Sequence, residues 1–546
     1  MKRLLKILWF CGILTAFLCA PVRAEDTGEE IIYDTLYAAN GGNLHFDKVN
    51  GTVMDCDETV VKVVIPSEIK GVAVTAIANE AFADCRKLTS VKIPDSVTSI
   101  GNGAFRNCVS MTGAELPGSL TEIASETFAG CRSLASVTIP DGVTGIGERA
   151  FQGCRSVKTV TIPSNVRRIG SGAFLDCGKL RSIETDRENA DYVSVDGVLF
   201  NAERTRLIRY PPAKADAVYT VPNGVSYIAE QAFSGCEGLT DVWIPHTALT
   251  LEDGAFSGCV NLLNVNLPEN VASVGSEAFR DCASLTEIAM PYGVTVIRDG
   301  TFSNCAKLRR VSIPQSLLSI RANAFEGCLA LEAVEIPARV SSVGDAAFRN
   351  CASLTGIELP NGLLTVGENA FQNCAKLSFV EFPATVSGIG WDAFADCGAL
   401  RDVYYAGSAA QWESIAEITH SGLVDKKNIS IHCESAGPDR PEVKFTSGPL
   451  AGKLLLRTSD LKGLQEFSAP LATDAETPLE VTVITPFYDA QGRLVGVGTG
   501  ADSIDSATKS VTVSVTDDVT GASEVKMMIF AGNKPLAAPF RYRIQA

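Results

Sequence analysis

Thr127-Phe128-Ala129-Gly130-Cys131-Arg132-Ser133-Leu134-Ala135-Ser136-Val137-Thr138-Ile139-Pro140 carries the period of the chain. Its phenylalanine recurs at 82, 105, 128, 151 and 174, then at 233, 256, 279, 302, 325, 348, 371 and 394, always 23 residues apart within each block. A cysteine stands three residues after every one, from Cys85 to Cys177 and from Cys236 to Cys397. Thirteen matches at one spacing define a solenoid, in which each unit buries its apolar side only against its neighbours.

One unit predicts a strand and a short helix. Leu134-x-x-Val137-x-Ile139 ends in period-two alternation, the mark of a strand. Pro140 lacks a backbone donor and ends the ladder. Ala150, Phe151 and Cys154, spaced one and three, fit one or two helical turns on the opposite side. The residue before the cysteine is Asp, Asn or Gly in all thirteen units, types that tolerate the left-handed backbone with which short helices end. The expected fold class is therefore an α/β solenoid of period 23, with a short strand plus a short helix per unit. At about 4.8 Å per rung it makes a curved rod on the order of 70 Å long.

The ends read differently. Met1-Lys2-Arg3-Leu4-Leu5-Lys6 is basic, Ile7 to Ala20 is apolar, and Val22-Arg23-Ala24 offers small residues for cleavage. Residues 1–24 are thus expected to be a secretory signal peptide. Cleavage would remove four basic residues and no acid from a chain already at −16. Glu434-Ser435-Ala436-Gly437-Pro438-Asp439-Arg440-Pro441 is a linker by composition. Beyond it, Leu479–Ile484, Arg493–Val497, Ser510–Val515 and Val525–Phe530 read as strands of a small all-β, sandwich-like domain over 442–546. Gly496-x-Gly498-x-Gly500 opens no helix and reads as a turn.

The pattern Ala-Phe-x-x-Cys-x-x-Leu-x-x-Val-x-Ile-Pro resembles the BspA-like leucine-rich repeat family of bacterial surface proteins, over roughly residues 33–433. Val64-Ile65-Pro66-Ser67-Glu68-Ile69-Lys70-Gly71 resembles that family's opening unit, after a cap beginning at 25. Tyr192 to Phe200 and Leu207 to Pro211 resemble its hairpin insertion, here near 186–212, and Asp196-Gly197 is by itself a tight-hairpin signal. Tyr404 to Trp412 resembles its closing cap, near 404–433. Phe487-Tyr488-Asp489-x-x-Gly492-Arg493-Leu494-Val495 resembles immunoglobulin-like modules of bacterial extracellular proteins. The resemblance implies an exported, surface-located adhesion protein that binds host extracellular matrix or other bacteria.

The residues themselves offer little chemistry. With only His45, His246, His420 and His432, and no nucleophile elbow, zinc motif or phosphate loop, no enzyme activity and no metal or other cofactor is expected. The acidic balance and the lack of a basic run argue against nucleic acid. No later segment is apolar over some 18 residues, so no membrane span is expected. Thirteen of the fifteen cysteines left after export occupy one column and read as buried thiols rather than disulfides; Cys56 and Cys433 lie at opposite ends of the rod.

The outward strand column, on the expected concave face, is the candidate site. It runs through Trp243 and Ala289 to Glu335, Glu358, Glu381 and Tyr404, with Arg310 and Phe379 in the neighbouring column. Exposed aromatics mark binding surfaces, and stacked carboxylates cost stability unless something offsets them. The functional reading is an acidic, aromatic-rimmed patch for a cationic protein segment; the plain one is a solvated face. The expectation is a non-catalytic protein-binding scaffold. The alternative is a glycan-binding or cell-envelope structural protein.

Overall fold

The computed structural model describes residues 35–415, 420–423 and 429–434, and the backbone of seven strands between 466 and 543. The expected signal peptide and most of the linker lie outside the described residues. The chain is nearly all β, a solenoid of about fifteen turns. Most turns contribute one short strand to each of two parallel ladders. One includes Lys62–Val64, Ser90–Lys92 and Gly113–Glu115, paired in register. The other is built of two-residue strands such as Ser319–Ile320, Ser342–Val343 and Thr365–Val366. Val91, Ile320 and Val343 point inward and are buried, as alternation requires.

The expected helix in each unit is absent, which corrects the α/β class. Among the described residues the one α-helix is Ala409–Glu413, in the closing cap. The Phe segment is a pair of tight turns, and the reason is in its backbone. The residue before each cysteine is left-handed (Asp84 φ 61°, Asn107 φ 59°, Gly130 φ 75°), and so is the residue two before each phenylalanine (Glu80 φ 56°, Gly103 φ 61°, Glu126 φ 57°). A helix cannot run through two left-handed residues four apart. Its amides are also shared with the next rung. Glu80, Phe82 and Asp84 donate to the carbonyls of Asn102, Ala104 and Arg106, while Ala83 and Cys85 close local three-residue turns.

This inter-rung bonding brings the phenylalanines into a stack. Successive rings from Phe82 to Phe174 and from Phe233 to Phe394 lie 4.7–5.7 Å apart and 4–18° from parallel. The cysteines are more than small apolar fillers. Each thiol from Cys259 to Cys397 donates to the phenylalanine carbonyl 26 residues earlier, at 3.1–3.2 Å. All fifteen described cysteines are thiols.

The unit Leu134–Pro140, expected to hold a strand, forms none, and neither does 331–337. That first rung is tied to its neighbour by Ala135 N donating to Thr112 O (3.1 Å). Between the two blocks, Tyr192–Val195 and Val198–Asn201 form an antiparallel hairpin around Asp196-Gly197, both left-handed. Val198, Leu199 and Phe200 are all 0% exposed. Leu199 belongs to the core of the first block, Val198 and Phe200 to that of the second, so this strand joins two cores.

At the far end the helix Ala409–Glu413 starts with a Ser408–Gln411 capping box and buries Trp412. The Trp412 ring meets Phe382 at 5.6 Å and Tyr405 at 5.3 Å, closing the apolar column. The C-terminal strands form one antiparallel seven-stranded sheet, including Leu479–Tyr488, Leu494–Ile504 and Ser510–Val515. Gly496, Gly498 and Gly500 lie inside Leu494–Ile504 and pair with Leu479–Tyr488; they are not a turn.

Candidate functional site on the outward sheet face

The ladder Gly356–Glu358, Phe379–Phe382, Asp402–Tyr405, Ser430–Cys433 is the longest run of the first sheet in the C-terminal block. Its register aligns Glu358, Glu381, Tyr404 and His432 in one column and Gly356, Phe379, Asp402 and Ser430 in the next. Val380 and Val403 alternate with them and are buried, so the columns face outward. Neighbouring strands lie about 4.8 Å apart, so three carboxylates, a phenyl ring, a phenol and an imidazole share one small surface.

Local packing fixes the aromatics. A Cβ on Gly356 would lie 2.3 Å from Cε1 of Phe379, so the phenyl ring rests on the bare glycine. Tyr404 stacks on His432 with centroids 4.7 Å apart, and His432 Nε2 lies 3.0 Å from Asp402 Oδ1. The result is an acidic and aromatic surface held by side-chain packing as well as by the sheet.

Of the other expected residues, Glu335 continues the acidic column by one rung, while Arg310 and Trp243 stand apart. Glu335 is exposed, one rung before Glu358, in a rung that forms no strand. Arg310 is exposed and pairs in register with Glu287, two rungs before Gly356. Trp243 is 50% exposed, four rungs before Glu335. Beside it Asn266 substitutes for the ladder: Ile244 N donates to its Oδ1 (2.6 Å) and its Nδ2 donates to Ile244 O (3.0 Å). The site that the structure assembles is Glu358, Phe379, Glu381 and Tyr404. Gly356, Asp402 and His432 complete it and were missed. His432 escaped because the last rung follows Tyr404 by 28 residues instead of 23, although Ser430-Ile431-His432-Cys433 alternates.

Among the described residues no group of three or more His, Cys, Asp or Glu is placed to hold a metal ion. No described helix is long and apolar enough to cross a membrane.

Comparison with known proteins places the repeat. Six copies of the BspA type leucine rich repeat region match residues 74–194, 218–332 and 295–416, more than half of the chain. The unmatched stretch between 194 and 218 coincides with the second half of the hairpin insertion. A leucine-rich repeat protein from Eubacterium ventriosum is 25% identical with a TM-score of 0.50, over 60% of this chain and 91% of that one. A leucine-rich repeat protein from Bacteroides ovatus is 26% identical with a TM-score of 0.43, over 73% of this chain and 99% of that one. A leucine rich cell surface protein from Faecalibacterium prausnitzii is 25% identical with a TM-score of 0.34, over 70% of this chain and 97% of that one. No curated protein matches the chain.

Proposed function

The chain belongs to the BspA-type leucine-rich repeat family, and on that premise we propose that it is an exported, non-catalytic adhesion scaffold that binds a basic segment of a partner protein. Repeats of this kind present long surfaces to protein ligands. The observation that carries the reading is the register of Glu358, Glu381 and Tyr404 beside Phe379 on one outward face. Carboxylates there steer a cationic segment, and the aromatics supply the apolar contact that slows its release. Host extracellular matrix or another bacterial surface is the expected source of that segment. The test is capture by the purified chain from a panel of matrix proteins and glycans. Salt-sensitive retention of proteins with basic segments supports the reading. Retention of glycans alone overturns it in favour of a glycan-binding wall component.

A further inference from the structure

The two repeat blocks do not stack directly. After Arg168–Ile169 the second ladder stops, and Ile169 N donates to the Tyr192 hydroxyl (3.0 Å) instead of to a strand carbonyl. The turn ladder stops too: Phe151 N reaches Ala173 O, and the pattern resumes only with Tyr210 N to Ala232 O. Between the two edges lies a cavity of about 360 Å³, within the range of small-ligand pockets.

Arg209 lines this cavity. It occupies the place that alanine takes before most of the phenylalanines, and Tyr210 continues the ring stack, 5.3 Å from Phe233. Only 5% of Arg209 is exposed. Nη1 donates to the Gln231 carbonyl and Nη2 to the Ser234 carbonyl at 3.1 Å. Nε has no partner among the described residues. None of the ion pairs formed by described residues involves this guanidinium, whereas Arg206 in the same wall is neutralised by both oxygens of Glu252. A buried cation without a counter-ion is costly, and two carbonyls use two of its five donors. The remaining wall sets apolar Ile169, Phe174, Ile208 and Ala229 beside Tyr192 and the pair Arg167 and Asp191, 3.9 Å apart, and the Ser171–Glu230 hydrogen bond (2.8 Å) sits at the rim.

We propose that this cleft binds the carboxylate of a small ligand with an apolar body, the carboxylate pairing with Arg209. A planar monoanion matches the one hydrogen that Nη1 and Nη2 each still have to give; Nε is fully buried and out of its reach. A phosphate dianion would meet more repulsion from Glu230 at the rim. The carboxylate can come from the C-terminus of a short peptide or from a free carboxylic acid. The site is separate from the outward sheet face and does not depend on the adhesion reading.

The experiment is calorimetry of the purified full chain with N-acetyl-phenylalanine, its C-terminal amide, the dipeptide Ala-Phe, 4-methylpentanoate and inorganic phosphate. The acids are expected to bind at least about tenfold tighter than the amide or phosphate; preference for Ala-Phe over 4-methylpentanoate assigns the peptide source, and the reverse the free acid. Arg209→Lys keeps the charge but loses the fork and should weaken acid binding about tenfold. Ser171→Trp, at the exposed rim, should block entry, and Glu230→Gln should tighten binding about two- to fivefold by removing a like charge. Ser171→Trp and Glu230→Gln carry the test if Arg209→Lys fails to fold. Equal binding of acid and amide, no acid binding at millimolar concentration, or binding indifferent to these two rim variants would overturn the proposal.

Discussion

Raising the pH should unfold the second repeat block through its thiols. Cys259, Cys282, Cys305, Cys328 and Cys351 are 0% exposed, and burial pushes every one of them well above the ordinary thiol range. In the unfolded chain a thiol titrates near 8.5. Below that pH both states hold the proton and stability is fully present. Above it the unfolded chain releases protons that the native state keeps, so stability falls until the raised native values are reached. Each thiol contributes about 1.4 kcal/mol per pH unit, and five together about 7 kcal/mol per unit. Against a stability of roughly 5–15 kcal/mol, the block should open within about two units above pH 8.5. Denaturant titrations followed by circular dichroism from pH 7.5 to 10.5 give the slope, and thiolate absorbance should rise with the unfolding transition. Cys305→Ala should flatten the slope by about 1.4 kcal/mol per unit. A stability independent of pH across this range, or an unchanged slope in the variant, would refute the neutral buried column.

Three further outcomes follow from the packing. Phe325→Ala removes a ring stacked on Phe302 and Phe348 and should cost about 3–5 kcal/mol, with loss of hydrogen-exchange protection spreading from that rung. Leu199→Ala should lower protection in the first block by about 2–5 kcal/mol and Phe200→Ala in the second by about 3–5 kcal/mol, since each fills a different core; equal loss in both blocks from either variant would show one core instead of two. Ala346 sits in the left-handed column at φ 51°, so Ala346→Gly should stabilise by about 0.5–1 kcal/mol in thermal unfolding.

The repeat was legible because Phe and Cys recur without error, and burial of Phe82 through Phe394 follows from that alone. The helix was misread because Ala150, Phe151 and Cys154 have helical spacing whether the segment is a helix or two turns. Asp, Asn or Gly before cysteine betrayed one left-handed site. The second is occupied by Glu80, Arg149, Gln231 and Ala346 among others, types that carry no such signal. The two-residue strands such as Gly145–Ile146 are too short for alternation to register. At the candidate site the acidic column could be read by counting in steps of 23, but the seat of Phe379 on Gly356 could not. Nor could the cleft at Arg209, because it arises where the count fails.

The adhesion reading stands on the acidic column, and one measurement addresses it most directly. The variant carrying Glu335→Gln, Glu358→Gln and Glu381→Gln is compared with the parent chain for binding to whichever basic protein the capture experiment returns. The parent should lose affinity with added salt, since exposed charges are screened beyond about 8–10 Å. The triple variant should bind more weakly, mainly through a slower on-rate, and show a shallower salt dependence. Unchanged affinity and unchanged salt dependence would contradict the account and make this column a solvated face.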